Sequence, residues 1–485
     1  MKYISWLLLI VICFYGCKEK NENSIAEKEN VKKPNIIFLF SDDQSFKDVH
    51  TLGNKEVKTP TMDKLAEEGT TFTHTYNMGG WNGAICLASR AMVISGRSVW
   101  RAQEVSKLFR KNKELDKTWP RLMENAGYET YATGKWHISA KADSIFNHVG
   151  HVLPGMPGDS PEGYNRPQNE NDTLWKPWKR EFGGYWKGGK HWSEMIKDDA
   201  VSFIDSAATK EKPFFMYIAF NAPHDPRQSP KKYVDMYPLD SISVPESFMP
   251  MYPYAETMGA GKNLRDEKLA PFPRTEYSVK VNRQEYYALT THLDDQLKDI
   301  INALEKQGLM ENTYIFFSSD HGLSVGEHGL IGKQNMYDHS MRVPLMIVGP
   351  NIPKGKKIAT DVYMQDVMAT TLELAGIEKP EYVEFNSLVT QIDGTDSKGS
   401  YDAIYGTYEK KSQRMIRRDG YKLIVYPKSE KILLYNLKED PQELKDIAAE
   451  PQSKEKIKTL FVELMELQKK MGDQLDLSII YKNIS

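Results

Sequence analysis

Five short apolar runs, each closing on a polar cluster, constrain this chain more than any other feature. They are NIIFLF then SDDQ, YETYAT then GKWH, PFFMYIAF then NAPHDP, TYIFFS then SDHG, and VPLMIV then GP. Runs of this length, rich in Ile, Val, Phe and Tyr, predict buried strands. Helical patterns lie between them. In TPTMDKLAEEG, Thr59 is placed to cap, Pro60 suits the first turn and Gly69 the stop. From about Arg283 to Lys306, Tyr286, Leu289, Leu293, Leu297, Ile300, Ile301 and Leu304 share one helical stripe ahead of Gly308. This alternation predicts an α/β fold, a mainly parallel sheet flanked by helices. In such folds ligands bind beyond the carboxyl ends of the strands, where the polar clusters are expected to fall.

The texture changes after residue 375. RMIRRDGYKLIVYP and KILLYNL predict antiparallel strands, EDPQE a turn, and residues 453–471 a helix. Residues 34–375 are therefore expected to form the main domain and 376–485 a smaller α+β subdomain containing an antiparallel sheet.

The first 17 residues, MKYISWLLLIVICFYGC, carry one lysine and an apolar run from Ile4 to Tyr15. The run is too short to span a bilayer and suits an export signal. Gly16-Cys17 followed by a charged stretch resembles a bacterial lipoprotein signal, which implies a lipid on Cys17 and a protein anchored to a membrane, in the periplasm or at the cell surface. Residues 18–33 hold almost no apolar side chains and read as a flexible tether. With 64 Lys and Arg against 66 Asp and Glu, the net charge is -2. That excludes a globally basic nucleic-acid binder, so an anionic substrate must be held by local cations.

Asp42 and Asp43 follow one predicted strand, and Asp320 and His321 follow another. Singly, an Asp pair after a strand is most often a turn or a cap. Brought together, three carboxylates repel unless a cation neutralises them, so a divalent metal is expected. Oxygen ligands favour Ca²⁺ or Mg²⁺, and His321 leaves the identity open. Lys135, His137, His224 and Lys333 stand after strands or in the loops beyond them. Taken one at a time, a lysine is usually solvated and a histidine usually structural; beside a metal, the four describe a site for a compact oxyanion in transfer. The chain has three cysteines. Cys13 would leave with the signal and Cys17 would carry lipid, so Cys86 is the sole thiol of the folded body. Without a disulfide partner it is either buried and inert or chemically employed.

The segment around that thiol, CLASRAMVISGR, resembles the signature of the formylglycine-dependent (type I) sulfatases of the alkaline phosphatase superfamily. Their pattern is Cys or Ser, any residue, Pro or Ala, any residue, Arg, with a later Ser/Thr-Gly-Arg. PNIIFLFSDDQ, GKWH, APHDP, SDHG and GKQNMYDHSMRVPL match the family in order, and RMIRRDGYKLIVYP with LLYNLKEDPQE resembles its small terminal subdomain. The likeness implies an alkaline-phosphatase-like fold. It implies also that a maturation enzyme oxidises Cys86 to formylglycine (3-oxoalanine), whose hydrate offers one hydroxyl to attack sulfur and a second through which sulfate is expelled.

Carried over by residue, the resemblance implies Asp42, Asp43, Asp320 and His321 as metal ligands, with the modified Cys86 completing the shell. Arg90 would hold the formylglycine, and Lys135 and His137 would contact it and the sulfate, His137 as base for the elimination. His224 and Lys333 would bind sulfate and protonate the leaving oxygen. Asp338 and Arg342 would brace the site. Ala88 stands where many members have Pro, which leaves two maturation routes open, one oxygen-dependent and one anaerobic.

Trp175, Trp178, Trp186 and Trp192 fall inside LWKPWKREFGGYWKGGKHW among basic residues. Aromatic faces beside cations suit a sulfated sugar ring, or else pack an irregular insertion against the sheet. Residues 249–277, rich in Pro, Met and charge, are expected to form another wall of the pocket. The expected function is an exported sulfuric ester hydrolase acting on a sulfated poly- or oligosaccharide. Two alternatives stand beside it: a phosphonate or phosphate ester hydrolase of the same superfamily, and a non-catalytic glycan-binding protein that never modifies Cys86.

Overall fold

The computed structural model describes residues 32–158, 161–164, 167 and 169–484. The expected export signal with Cys17, and all but the last two residues of the tether, lie outside them. No helix among the described residues is long and apolar enough to cross a membrane.

In chain order the strands are β1 (Asn35–Asp42), β2 (Thr70–Tyr76), β3 (Gly79–Gly80), β4 (Glu129–Lys135), β5 (His148–Leu153), β6 (Phe214–Pro223) and β7 (Thr313–Ser319). They continue as β8 (Arg342–Val343), β9 (Leu345–Val348), β10 (Lys356–Tyr363), β11 (Ile404–Tyr408), β12 (Gln413–Arg418), β13 (Tyr421–Tyr426) and β14 (Lys431–Asn436). The large sheet runs β10-β2-β9-β7-β1-β6-β4-β5, with β8 paired to β2. β1, β6 and β7 are buried along their whole length, as strands covered on both faces must be. Ile36, Phe38 and Phe40 pack on one side of the sheet, and Ile37 and Leu39 on the other.

β1 pairs in parallel with both β6 and β7, and β6 in parallel with β4. The carboxyl ends of these four strands therefore share one edge, and the SDDQ, GKWH, NAPHDP and SDHG clusters follow them there. β9 differs. It pairs antiparallel to β7, so the GP that closes VPLMIV lies at the opposite edge from the other clusters, contrary to the expectation for all five. The composition of an apolar run does not encode its direction.

The helix Pro60–Glu68 forms as expected, but Thr59 does not cap it. Its hydroxyl accepts from the amide of His50 at 2.9 Å, and the open amides of Thr61 and Met62 donate instead to Asp294, each at 2.9 Å. Asp294 belongs to the long helix Glu276–Lys306, which starts ahead of Arg283 because Thr275 and Ser278 form a capping box. Its Leu289, Leu293, Leu297, Ile300 and Leu304 pack under the sheet with Ile37 and Leu39.

The second sheet runs β14-β13-β12-β11-β3. Its hairpins are antiparallel, as the C-terminal texture predicts, and the helix Lys454–Met471 covers it through Ile457, Leu460, Phe461 and Leu464. Its fifth strand comes from far upstream, since Gly79 and Gly80 of β3 pair in parallel with Thr407 and Tyr408. The main body thereby contributes a strand just ahead of the helix Ile85–Ser95, which carries Cys86.

Candidate active site

Side chains of an unbroken strand alternate between faces, so Asp42 and Asp43 would point apart if β1 simply continued. Asp43 adopts a φ of 66°, which breaks the pleat, and both carboxylates reach Cys86. Its Sγ lies 3.2 Å from Asp42 Oδ1 and 3.7 Å from Asp43 Oδ1. A second backbone device aims Lys135. Gly134 has a φ of 92° at an irregularity in β4, and a Cβ there would overlap the carbonyl oxygen of Ala219. Only glycine fits. Lys135 then bonds through Nζ to Asp42 Oδ2.

Arg90 lies one helical turn after Cys86 and so shares its face. It is fully buried; Nε donates to Asp320 Oδ2 at 2.9 Å and Nη1 to the carbonyl of Lys135 at 2.7 Å. Asp320 Oδ1 accepts from the amide of Asp43 at 3.3 Å. Lys333 Nζ stands 2.7 Å from both oxygens of Asp43 and 3.0 Å from Cys86 Sγ. His224 directs Nε2 to Asp43 Oδ2 at 3.5 Å, while Nδ1 faces Asp225 Oδ1 at 3.0 Å.

Three buried carboxylates thus meet two ammonium groups and one guanidinium. Burial and the nearby Asp320 push Asp42 up to about 6 despite Lys135, and burial pushes Asp43 up to about 6 against the pull of Lys333. Asp320 goes the other way. Burial would raise it, but Arg90, Lys135 and Lys333 together hold it well below the ordinary carboxylate range. Cys86 is pushed well above a normal thiol by burial and by Asp320 and Asp42. Burial, with Lys135 beside it, lowers His137 to about 3, and its buried Nδ1 has no hydrogen-bond partner.

A divalent cation would relieve the carboxylate crowding, and the donors suit one. Ligand atoms of Asp42, Asp43, Cys86 and His224 all lie within 4.8 Å of one another. Asp320 and His321 are not in that group of four. Asp320 is engaged by Arg90, and His321 bonds through Nδ1 with the carbonyl of Gly322 at 3.0 Å. Its Nε2 is buried with no partner, which is the expected condition of a nitrogen reserved for a metal.

Above Cys86 lies a cavity of about 390 Å³ lined by His137, His224, Lys333, Arg265, Asp266 and Gln334, with Pro154, Met156 and Leu264 as apolar wall. The stretch expected to form a wall thus contributes Leu264, Arg265 and Asp266. The four tryptophans do not line this cavity. Trp175, Trp186 and Trp192 are buried, Trp175 donating to Glu285 at 2.9 Å and stacked on Phe182, and Trp192 packed in the core against Tyr185. Asp338 and Arg342 also stand away from it. Asp338 pairs with Lys422 of β13, which joins the segment ahead of β8 to the second sheet, and Arg342 donates to the carbonyl of Thr73 of β2 at 2.6 Å, within the large sheet. Sequence reasoning missed Asp225, which orients His224 and lay within the quoted APHDP. It missed also Glu267, which fixes the Lys333 loop and carries no local signal.

Comparison with known proteins places the chain in a family. A family model described as sulfatase matches residues 34–377, and one described as the C-terminal part of N-sulphoglucosamine sulphohydrolase matches residues 326–470. A sulfatase of Formosa agariphila is 28% identical over 94% of this chain and 90% of its own. An N-acetylglucosamine-6-O-sulfatase of Bacteroides thetaiotaomicron is 25% identical over 92% and 88%. Among solved structures, a protein in complex with its substrate D-glucosamine-2-N,6-O-disulfate superposes with a TM-score of 0.72 at 23% identity, covering 91% of this chain and 99% of that one. A phosphonate monoester hydrolase from Silicibacter pomeroyi also gives 0.72, at 17% identity and 91% and 96% coverage. These two likenesses establish the fold alone. The family match spans well over half of the chain and includes every residue around Cys86: this protein belongs to the sulfatase family.

Proposed function

We propose that the protein removes sulfate esters from a sulfated glycan, with residue 86 oxidised to formylglycine beside a divalent metal. The observation that carries this reading is the placement of Cys86 on the cavity wall, its Sγ between Lys333 Nζ at 3.0 Å and Asp42 Oδ1 at 3.2 Å. As a thiol it is a poor nucleophile, because burial and the neighbouring carboxylates keep it protonated. The same position suits an oxygen nucleophile. Formylglycine, when formed, supplies one as its hydrate, acidified by the metal.

Asp42, Asp43, Asp320 and His321 are assigned to the metal, and Ca²⁺ fits the oxygen-rich set. His224 is assigned to the leaving oxygen instead: Asp225 holds its Nδ1, and Nε2, which lies 3.5 Å from Asp43, is the nitrogen on the side of Cys86 and the cavity. Lys135 and Lys333 supply the positive charge that neutralises a bound sulfate. His137 lines the cavity with a neutral ring, because burial and Lys135 depress its proton affinity; the base role in the elimination is assigned to it by the family likeness and not by that depressed affinity. Arg90 holds Asp320 and the Lys135 carbonyl in place.

Likeness to sugar sulfatases supports a sulfated sugar as substrate. The test is sulfate release by the matured protein from a panel of sulfated algal and animal glycan fragments. Release from at least one sugar sulfate is expected. Hydrolysis of phosphonate monoesters with no sulfate released from any sugar would favour the second reading, for which the shared fold of a phosphonate monoester hydrolase speaks. The N-terminal sequence supports export and a lipid anchor on Cys17.

A further inference from the structure

The segment LWKPWKREFGGYWKGGKHW, residues 174–192, is divided by side-chain character. Its aromatic groups turn inward: Trp175, Tyr185, Trp186 and Trp192 are buried. They are pinned to the loop after His224, where the Tyr185 amide donates to Gln228 Oε1 at 2.8 Å, its hydroxyl to the carbonyl of His224 at 3.1 Å, and His191 Nε2 to the carbonyl of Gln228 at 2.9 Å. The cations turn outward. Arg180, Lys187 and Lys190 are exposed, and Lys176 and Lys179 partly so. Trp178, only partly buried, has Lys231 and Lys176 with Nζ 5.3 and 5.9 Å from its ring, and Arg180 lies 4.8 Å over Trp186.

This segment carries five Lys and Arg against Glu181 alone, in a chain whose net charge is -2. Lys179, Lys190 and Lys231 pair with Glu181, Asp198 and Asp235. Among the described residues no carboxylate pairs with Lys176, Arg180, Lys187 or Lys232. The patch runs into a groove of about 310 Å³ with Lys190, Lys197, Lys232 and Lys298 on its walls. The groove also holds three acids, Glu194 facing His292 at 3.5 Å, Asp295 accepting from Tyr233 at 2.7 Å and Asp299 facing Lys197 at 3.6 Å, so its four lysines leave a small positive excess.

Cations without a carboxylate partner along one segment and the adjoining groove repel one another, and a polyanion relieves that repulsion while releasing its own counterions. A partly exposed indole flanked by ammonium groups adds a face for a sugar ring. We propose that this is a second, non-catalytic binding surface for a sulfated polysaccharide, which it holds next to the catalytic cavity through the loop that carries His224. The proposal rests on reading the cavity as that of a glycan sulfatase.

The test measures dextran sulfate binding to the full chain carrying Cys86→Ala, so that the polymer stays intact, across a range of salt concentrations. Uncharged dextran serves as control, and binding is repeated after adding Lys176→Gln, Arg180→Gln, Lys187→Gln and Lys232→Gln together. Dextran sulfate is expected to bind with strong salt dependence, and the fourfold substitution to weaken binding by about tenfold or more and flatten the salt slope. In the matured protein without the Cys86→Ala substitution, the same fourfold substitution should leave turnover of a small sulfate ester within about twofold, since these residues lie outside the cavity. Unchanged polymer affinity, or a parallel loss of small-ester turnover, overturns the proposal. So does tighter binding of DNA or of anionic vesicles, which would make the patch a surface for a different polyanion. Failure of the sulfatase reading shows separately, as intact polymer binding by a matured protein that releases no sulfate.

Discussion

Lys333 and Cys86 are 247 residues apart in the chain, yet Lys333 Nζ lies 3.0 Å from Cys86 Sγ. The contact depends on a loop held from outside the cavity. Glu267, itself paired with Arg274, accepts from the amides of Ile331 at 3.1 Å and Gly332 at 2.8 Å, and Gln413 donates to the carbonyl of Gln334 at 2.7 Å. Lys333 is thereby fixed against Asp43 and the residue it serves.

Lys333→Ala removes a charge aimed at the reacting sulfate, and kcat should fall by about 10²–10³-fold with the protein still folded. Steady-state turnover with circular dichroism checks this; a loss under tenfold would show that Lys333 does not contact the developing charge. Glu267→Gln should lower kcat less, while leaving every cavity side chain in place.

Metal should bind where Asp42 and Asp43 crowd. Chelation is expected to lower both activity and melting temperature, and Ca²⁺ at a hundredfold excess over its Kd to return about 2.7 kcal/mol of stability. Asp43→Asn should abolish that gain. A melting temperature indifferent to both chelator and Ca²⁺ would contradict the assignment of these carboxylates.

Acid should act through His191. Its Nε2 donates to Gln228 while Nδ1 accepts from the Ser193 amide at 3.2 Å and caps a helix, so the buried ring is satisfied only when neutral. Burial and the nearby His292 hold its proton affinity well below the ordinary value. The unfolded chain takes up a proton near pH 6.5 and the folded one does not, so stability contributed by His191 is present above that pH and lost as pH falls below it, at up to about 1.4 kcal/mol per pH unit. Asn at this position still caps without titrating. His191→Asn should therefore unfold less steeply with acid than the wild type, read from denaturant midpoints between pH 7 and 5; equal slopes would contradict a neutral His191.

Trp175→Phe should cost about 1–2 kcal/mol through the lost bond to Glu285 and leave KM unchanged, because Trp175 is packed away from the cavity. A raised KM at unaltered stability would return Trp175 to the substrate site.

The strands that build the site were legible because each is an apolar run closed by a polar cluster, and parallel pairing of β1, β4, β6 and β7 then brings those clusters to one edge. β2, β5 and β10 were not, since TTFTHTY, HVGHVL and KKIATDVY mix Thr, His and Lys among their apolar residues, β5 and β10 as partly exposed edges and β2 as a mostly buried interior strand. β3 is two glycines with no side chain to read. Motif residues such as Cys86, Lys135 and Lys333 could be named from the resemblance. Their support could not, because Asp294 capping another helix and Glu267 holding residues 331 and 332 are contacts between distant segments with no local periodicity. The tryptophans left two readings open for a related reason: composition shows that a segment is aromatic, and only packing shows which way the rings face.

The most direct test weighs the tryptic peptide containing residue 86, taken from protein that releases inorganic sulfate, made in its native host. An aldehyde or its hydrate in place of the thiol, in proportion to specific activity across preparations, is the predicted result. Full activity in a preparation whose residue 86 is still cysteine would contradict the account.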